Sequence, residues 1–300
     1  MIERQDIRFI SEGQKCVGWF YPVPGKDIVP CIVLAHGFGG VKEMRLDAYA
    51  ERFAEAGYHA FVFDYRHFGK SEGEPRQILD IKKQHQDWRA AIRFAKGLPG
   101  VDPHRIILWG TSFSGGHVLA VAARDQDPDI AAVISQVPHL DGFATAIANG
   151  PVQNLRLCFA AWRDIANMVL HRRPYYVPLI GQPGELAAMT APDAEEGVKR
   201  LYPEGLEPDE NVAARIFLKV GLYSPGRLAS KMGIPWLVQA AADDLTTPVY
   251  PAIRASKKAS KSQLIIYKCG HFDVYVEPRF EQTVSDQITF LKNCLEQNKK

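Results

Sequence analysis

Short, unbroken apolar runs recur along the chain from residue 31 onward: Cys31–Ala35, Ala60–Phe63, Ile106–Trp109, Ala132–Ile134, Trp236–Ala240 and Leu264–Tyr267. Runs of this length without polar alternation suit strands buried on both faces, as in the centre of a parallel sheet. Between them lie stretches with helical periodicity, at about 43–56, 77–97, 114–124, 248–260 and 280–297. In the second, Ile78, Ile81, Trp88, Ala91, Ile92 and Ala95 gather on one helical face. Strand alternating with helix predicts an α/β fold, a mostly parallel sheet with helices on both faces. Ahead of it, segments 4–10 and 15–21 flank the turn residues Ser11, Glu12 and Gly13 and read as an antiparallel hairpin.

The rhythm breaks between Asp141 and Met232, where no clear buried strand is found and proline-rich pieces such as RRPYYVPLIGQPG (172–184) and APDAEEG (191–197) occur. A structureless loop of that length is foreign to a compact domain. The stretch therefore predicts an inserted helical cap over one edge of the sheet, with helices near 152–170 and 208–220. Because the strand pattern resumes at Trp236, an insertion is favoured over a second independent domain. The expected organisation is a core of residues 1–140 and 233–300 and a cap of residues 141–232.

Composition narrows the function classes. With 46% hydrophobic and 23% charged residues in 300, the chain has the make-up of an ordinary globular protein. Lys plus Arg number 36 against 34 for Asp plus Glu, a net charge of +2, so nothing steers it toward nucleic acid or an anionic membrane. The five cysteines (Cys16, Cys31, Cys158, Cys269, Cys294) are odd in number and form no C-x-x-C pair, which suggests reduced thiols and no cysteine zinc site. The segment MIERQDIRFI has early acidic residues and no apolar h-region. No run approaches the roughly 18 apolar residues of a membrane span. A cytoplasmic location is the expectation.

The strongest chemical signal is IILWGTSFSGGH (106–117), a buried strand, a small-residue turn and then a helix. A nucleophile elbow needs small residues two before and two after the nucleophile, because its strained turn brings backbones close together. Ser112 meets this with Gly110 before it and Ser114 after it, where the usual motif has glycine. Ser114 fits a shifted frame between Ser112 and Gly116, but it falls within the first helical turn, where serine more often caps or packs.

Upstream, LAHGFGG (34–40) follows a buried strand and can supply a backbone N–H to a developing oxyanion. That donor is assigned to Phe38, and the second to Phe113, the residue after the nucleophile. A dinucleotide-binding loop fails here, since Lys42 stands at the last glycine position of G-x-G-x-x-G. Asp64, within FDYRHFGKSEG, reads as a loop-anchoring carboxylate, and His36 as a hydrogen-bonded structural residue or, less favoured, a base.

Two later strand ends complete the set. WLVQAAADDLTTP (236–248) carries two aspartates and YKCGHFDVY (267–275) carries His271. A serine hydroxyl becomes nucleophilic when an imidazole takes its proton and a carboxylate fixes that imidazole's tautomer. The order Ser, Asp, His, each on a loop after a different strand, fits this architecture. Asp244 is the preferred carboxylate, Asp243 and Asp141 the alternatives, and His271 the base. The other histidines show no metal-ligand spacing such as H-E-x-x-H, so no metal is expected.

These residues resemble the α/β-hydrolases of the dienelactone-hydrolase and serine-peptidase-like branch. The run AHGFGGVKEM…YAERFAEAGYHAFVFDYRHFGKSEGEPR…WGTSFSGGHVLA is similar to bacterial esterase-like hydrolases and to fungal enzymes that release or transfer polyketide chains. The resemblance implies an eight-stranded sheet with a cap and no cofactor. Carried over by position, it implies Ser112 as nucleophile, Asp244 as acid, His271 as base, and Phe38 and Phe113 as oxyanion donors.

In such an architecture the cap overlies the nucleophile. Its aromatic residues Phe159, Trp162, Tyr175 and Tyr176 are the candidate substrate contacts, with Arg163, Arg172 and Arg173 nearby for a polar or anionic group. An ordinary cap core with solvated charges accounts for the same pattern and is the favoured reading. The expectation is a serine hydrolase for a small-molecule acyl ester or thioester. An acyltransferase or chain-releasing thiohydrolase is the first alternative, and a non-catalytic ligand-binding protein on the same scaffold the second. A homodimer is compatible with the sequence.

Overall fold

The computed structural model describes residues 3–25, 28–206 and 209–297. The chain opens with β1 (Gln5–Ser11) and β2 (Gln14–Tyr21), an antiparallel hairpin in which Ser11 pairs with Gln14. Glu12 and Gly13 both have positive φ (46° and 80°), the turn geometry that matches the natural twist of two strands. Strand β3 (Val29–Ala35), helix α1 (Leu46–Glu55), strand β4 (His59–Phe63), helix α2 (Ile81–Lys96), strand β5 (Val101–Thr111), helix α3 (Phe113–Asp125) and strand β6 (Ile130–Gln136) follow.

Next come helices α4 (Gly142–Asn149) and α5 (Pro151–Val169), the short strand β7 (Tyr176–Pro178), helix α6 (Ala194–Lys199), strand β8 (Asn211–Ala213) and the single turn α7 (Phe217–Val220). The chain then returns to the sheet with β9 (Trp236–Ala241), α8 (Val249–Ser256), β10 (Ser262–Tyr267) and α9 (Arg279–Gln297).

Eight strands form one sheet in the order β1-β2-β4-β3-β5-β6-β9-β10. The pairs β1–β2 and β2–β4 are antiparallel and the other pairs parallel. The apolar runs behave as their lack of alternation predicts. Every residue of β3 and β4 is buried, and successive side chains serve opposite layers. Cys31, Val33 and Ala35 join the core beneath α2, α3 and α8. Ile32 and Leu34 join the core beneath α1 and α9.

Helix α2 starts later than the periodicity predicts. Asp80 is extended and accepts hydrogen bonds from the amides of Lys82 (2.9 Å) and Lys83 (3.1 Å), an N-cap that fixes the first turn. Gln77, at φ 57°, belongs to the preceding loop.

Between β6 and β9, part of the chain packs around a small core of its own, Leu157, Ala160, Val177 and Ala214, while Tyr223, Ala229 and Met232 join the core beneath α2, α3 and α8. Helix α5 spans Pro151–Val169, close to the predicted 152–170. The helix expected over 208–220 is not formed. Pro208 lies outside the described residues, and Asn211–Ala213 instead pairs with β7. It is followed by a 3₁₀ turn, Ala214–Ile216, and then α7. The reason is tertiary: the Ala213 amide donates to Gln77 O and the Ala214 amide to Tyr175 O. Val212, Ala213 and Ala214 are all buried in succession, which one face of a helix could not achieve. The segment is thus a mixed layer with a two-stranded sheet, not helical throughout.

Candidate active site

Strand β5 delivers Ser112 to the carboxyl edge of the sheet, between Thr111 and the first residue of α3. Its backbone is strained, at φ 53° and ψ −119°. The turn is held by Ser112 N donating to Gln136 O (2.8 Å) and by Ser112 O accepting from His139 N (2.9 Å) and Gly115 N (3.0 Å). The glycines around it have steric reasons. A Cβ on Gly110 would run into the Ser114 carbonyl, and one on Gly37 would lie 2.8 Å from Ser112 Cβ. Only a bare backbone lets the glycine loop after β3 approach the elbow so closely.

The two candidate serines separate cleanly. Ser114 is fully buried, and its hydroxyl lies 2.8 Å from Tyr65 Oη, which also receives the Trp88 indole N–H (2.8 Å). Ser112 faces a cavity and stands 3.1 Å from His271 Nε2. On the other side of that ring, His271 Nδ1 is 2.7 Å from Asp244 Oδ2.

Asp244 is buried and anchored. Its Oδ1 accepts from the amides of Thr246 (2.8 Å) and Thr247 (2.6 Å). The Thr247 hydroxyl lies 2.8 Å from Oδ2 and 3.2 Å from His271 Nδ1. These bonds leave the carboxylate one orientation, with Oδ2 toward the imidazole. The alternatives fall away on position. Asp243 is exposed, and Asp141 caps α4 through the amides of Phe143 and Ala144 while pairing with Arg254.

The amide of Phe113 is the first of α3 and so has no partner within its helix. Phe38 sits in the adjoining loop, its ring 5.4 Å from that of Phe113, and both residues line the cavity beside Ser112. His36 is buried with Nδ1 3.1 Å from Gly37 O, and burial pulls its imidazole down to about 4. Asp64 fills the anchoring role: it accepts from the Lys42 amide (2.8 Å) and pairs with Lys42 Nζ (2.6 Å), both fully buried.

The cavity encloses about 890 Å³, within the range of small-molecule sites. Its lining includes residues that no motif marks in the sequence, among them Ala146, Gly150, Leu157, Met189 and Phe217, together with Leu245 beside Asp244. The Asn149-Gly150-Pro151 break is the available signal: Gly150 at φ 79° ends α4 and Pro151 starts α5. His139 also lines the cavity, and burial brings its imidazole down to about 4.

The predicted substrate contacts lie elsewhere. Phe159 and Trp162 are 68% and 62% exposed on the outer face of α5. Tyr175 packs on the cap core under the Arg163 guanidinium (4.1 Å), and Tyr176 Oη donates to Arg76 O. None of the four lines the cavity. Helical geometry is the cause, because Leu157, Ala160, Ala161 and Asp164 occupy the inward face of α5 and leave 159 and 162 turned outward. Among the described residues, no group of three or more His, Cys, Asp or Glu side chains is placed to hold a metal ion. Nor is any helix among the described residues long and apolar enough to cross a membrane.

Comparison with known proteins agrees with this architecture. The family model described as serine aminopeptidase, S33, matches residues 27–279. The quorum-quenching protein AidA of Acinetobacter baumannii (strain MDR-ZJ06) is 45% identical over 290 residues, covering 97% of this chain and 95% of its own. The polyketide transferase of Stachybotrys chlorohalonatus (strain IBT 40285) is 28% identical over 306 residues, covering 98% and 99%. Among solved structures, the α/β hydrolase GrgF from Penicillium sp. sh18 superposes with a TM-score of 0.84 at 24% identity, over 97% of this chain and 99% of that one. The fold is the α/β-hydrolase fold.

Proposed function

The chain belongs to the serine aminopeptidase S33 family of α/β-hydrolases, and we propose that it cleaves carboxylic ester or thioester bonds of a small acyl compound through an acyl-enzyme on Ser112. The observation that carries this reading is the unbroken relay from Ser112 Oγ to His271 Nε2 (3.1 Å) and from His271 Nδ1 to Asp244 Oδ2 (2.7 Å). His271 takes the hydroxyl proton as Ser112 Oγ attacks the carbonyl carbon, and Asp244 holds Nδ1–H and stabilises the imidazolium. The carbonyl oxygen, now an oxyanion, is met by the N–H groups of Phe38 and Phe113. His271 then returns the proton to the departing alkoxide or thiolate. Water, activated by the same imidazole, releases the acyl group and regenerates Ser112.

The cavity supports a largely apolar acyl group, since Ala146, Leu157, Met189, Phe217 and Leu245 contribute to its wall. Replacing Ser112 by alanine is expected to abolish turnover of p-nitrophenyl esters, while Ser114→Ala keeps most of it. The reverse result would move the nucleophile. A second reading replaces water with a hydroxyl or amine acceptor, and the likeness to a polyketide transferase favours it. Acceptor-dependent product would support transfer; hydrolysis indifferent to every acceptor would count against it.

A further inference from the structure

The face of α5 turned away from the cap core carries a second pattern. Val152, Leu155, Phe159, Trp162, Ala166 and Val169 recur at intervals of three and four, and all are exposed. That is the a/d spacing by which one helix packs along another. The helix is therefore apolar on two faces, one buried in its own cap and one with no partner within the described chain. Of the fifteen large hydrophobic side chains exposed among the described residues, nine lie between Phe143 and Leu170, so the apolar surface is concentrated on α4 and α5. Concentration of this kind marks an interaction surface, where scattered apolar residues do not.

We infer that this seam is the interface between two copies of the chain, their α5 helices packed antiparallel across a two-fold axis at the middle of the helix. The intervals three, four, three, four, three read the same in both directions. An antiparallel copy consequently sets Val152 against Val169, Leu155 against Ala166 and Phe159 against Trp162. This self-complementarity is what an isologous interface requires. The area is sufficient as well. Phe159 and Trp162, 68% and 62% exposed, each leave on the order of 150 Å² to bury. With the aliphatic positions and the exposed Phe143 and Ile147 of α4, each copy offers on the order of 800 Å², the share of one partner in a standard interface.

The flanks do not oppose this pairing. On one edge Arg156 donates to Gly184 O and Arg163 lies over Tyr175, so both cations are engaged within their own chain. On the other edge Cys158 and Ile165 are half-buried and extend the apolar strip. Val152 also lines the cavity, which puts the interface against the cavity wall.

Sedimentation velocity of the full chain at micromolar concentration is expected to give a species near twice 33.5 kDa. Phe159→Glu and Trp162→Glu are each expected to yield monomer while fluorophosphonate labelling of the enzyme continues, which separates loss of pairing from misfolding. The register has its own readout: the Leu155→Cys/Ala166→Cys double variant should form an interchain disulfide that the wild type and either single variant lack. A wild type that stays monomeric would overturn the inference, as would a dimer that survives both glutamate substitutions. Flotation of monomer with vesicles containing phosphatidylglycerol would overturn it in favour of a lipid-facing seam.

Discussion

Ser112, Asp244 and His271 are legible in the sequence because each stands shortly after an apolar run, and a strand end fixes where the next residues go. Ser112 follows Thr111, the last residue of β5, and its φ of 53° is the conformation that Gly110 makes room for. Choosing Asp244 over Asp243 is harder from the sequence; what favours it in the structure is its contact with His271 Nδ1 (2.7 Å), with the amides of Thr246 and Thr247 fixing its carboxylate. Asp244→Asn is expected to lower kcat by roughly 10⁴ with substrate binding retained, because an amide stabilises the wrong imidazole tautomer; steady-state kinetics on an ester checks it. The buried histidines make a separate prediction about stability. Burial holds His36 and His139 near 4 in the folded chain, against about 6.5 when unfolded. Lowered folded-state values mean that the unfolded chain binds protons first as pH falls. Their contribution is complete above about 6.5 and is lost between there and 4, at about 1.4 kcal/mol per pH unit for each. Urea midpoints from pH 7 to 4.5 should fall accordingly, and His139→Gln should flatten the slope.

At the level of elements, the buried strands can be recovered from the chain because a short, continuous apolar run is stable only where both of its faces are covered. Between β6 and β9 the helix α5 is recovered as well, but β7 and β8 are not, because they are defined by partners distant in sequence. Residues 211–213 become a strand only because β7 lies beside them. The aromatic residues of α5 look like a pocket lining until the inward face is known to be Leu157, Ala160 and Ala161. One side chain ties these cap elements together. Asp164, fully buried, accepts from the Tyr175 amide (2.9 Å) and the Arg215 amide (2.8 Å), and pairs with Arg215 Nε (2.7 Å). Asp164→Ala removes a carboxylate that joins α5 to the segments flanking β7 and β8. A loss of about 3 kcal/mol is expected, since one partner of a largely buried pair is left behind. Limited proteolysis should then cut first between residues 141 and 232, with the core fragments surviving; cleavage no faster than in wild type would deny Asp164 that role.

For the molecule as a whole, the sequence favours an insertion at residues 141–232 over a separate domain, and the proposed site needs both flanking segments. Ser112 precedes that stretch in the chain and Asp244 and His271 follow it, yet all three meet at one edge of one sheet. Much of the cavity lining comes from residues 142–221, and the proposed reacting groups from loops at the sheet edge. Acyl preference is therefore expected to follow substitutions at Leu157 and Phe217, and turnover itself to follow the triad. The most direct measurement is fluorophosphonate labelling followed by tryptic mapping. The peptide Ile106–Arg124 contains both serines, so fragmentation between residues 112 and 114 is needed to assign the adduct. The account predicts the phosphonyl group on Ser112, absent in Ser112→Ala, present in Ser114→Ala and formed far more slowly in His271→Ala. An adduct on Ser114, or a folded wild-type protein that takes up no label, would contradict it.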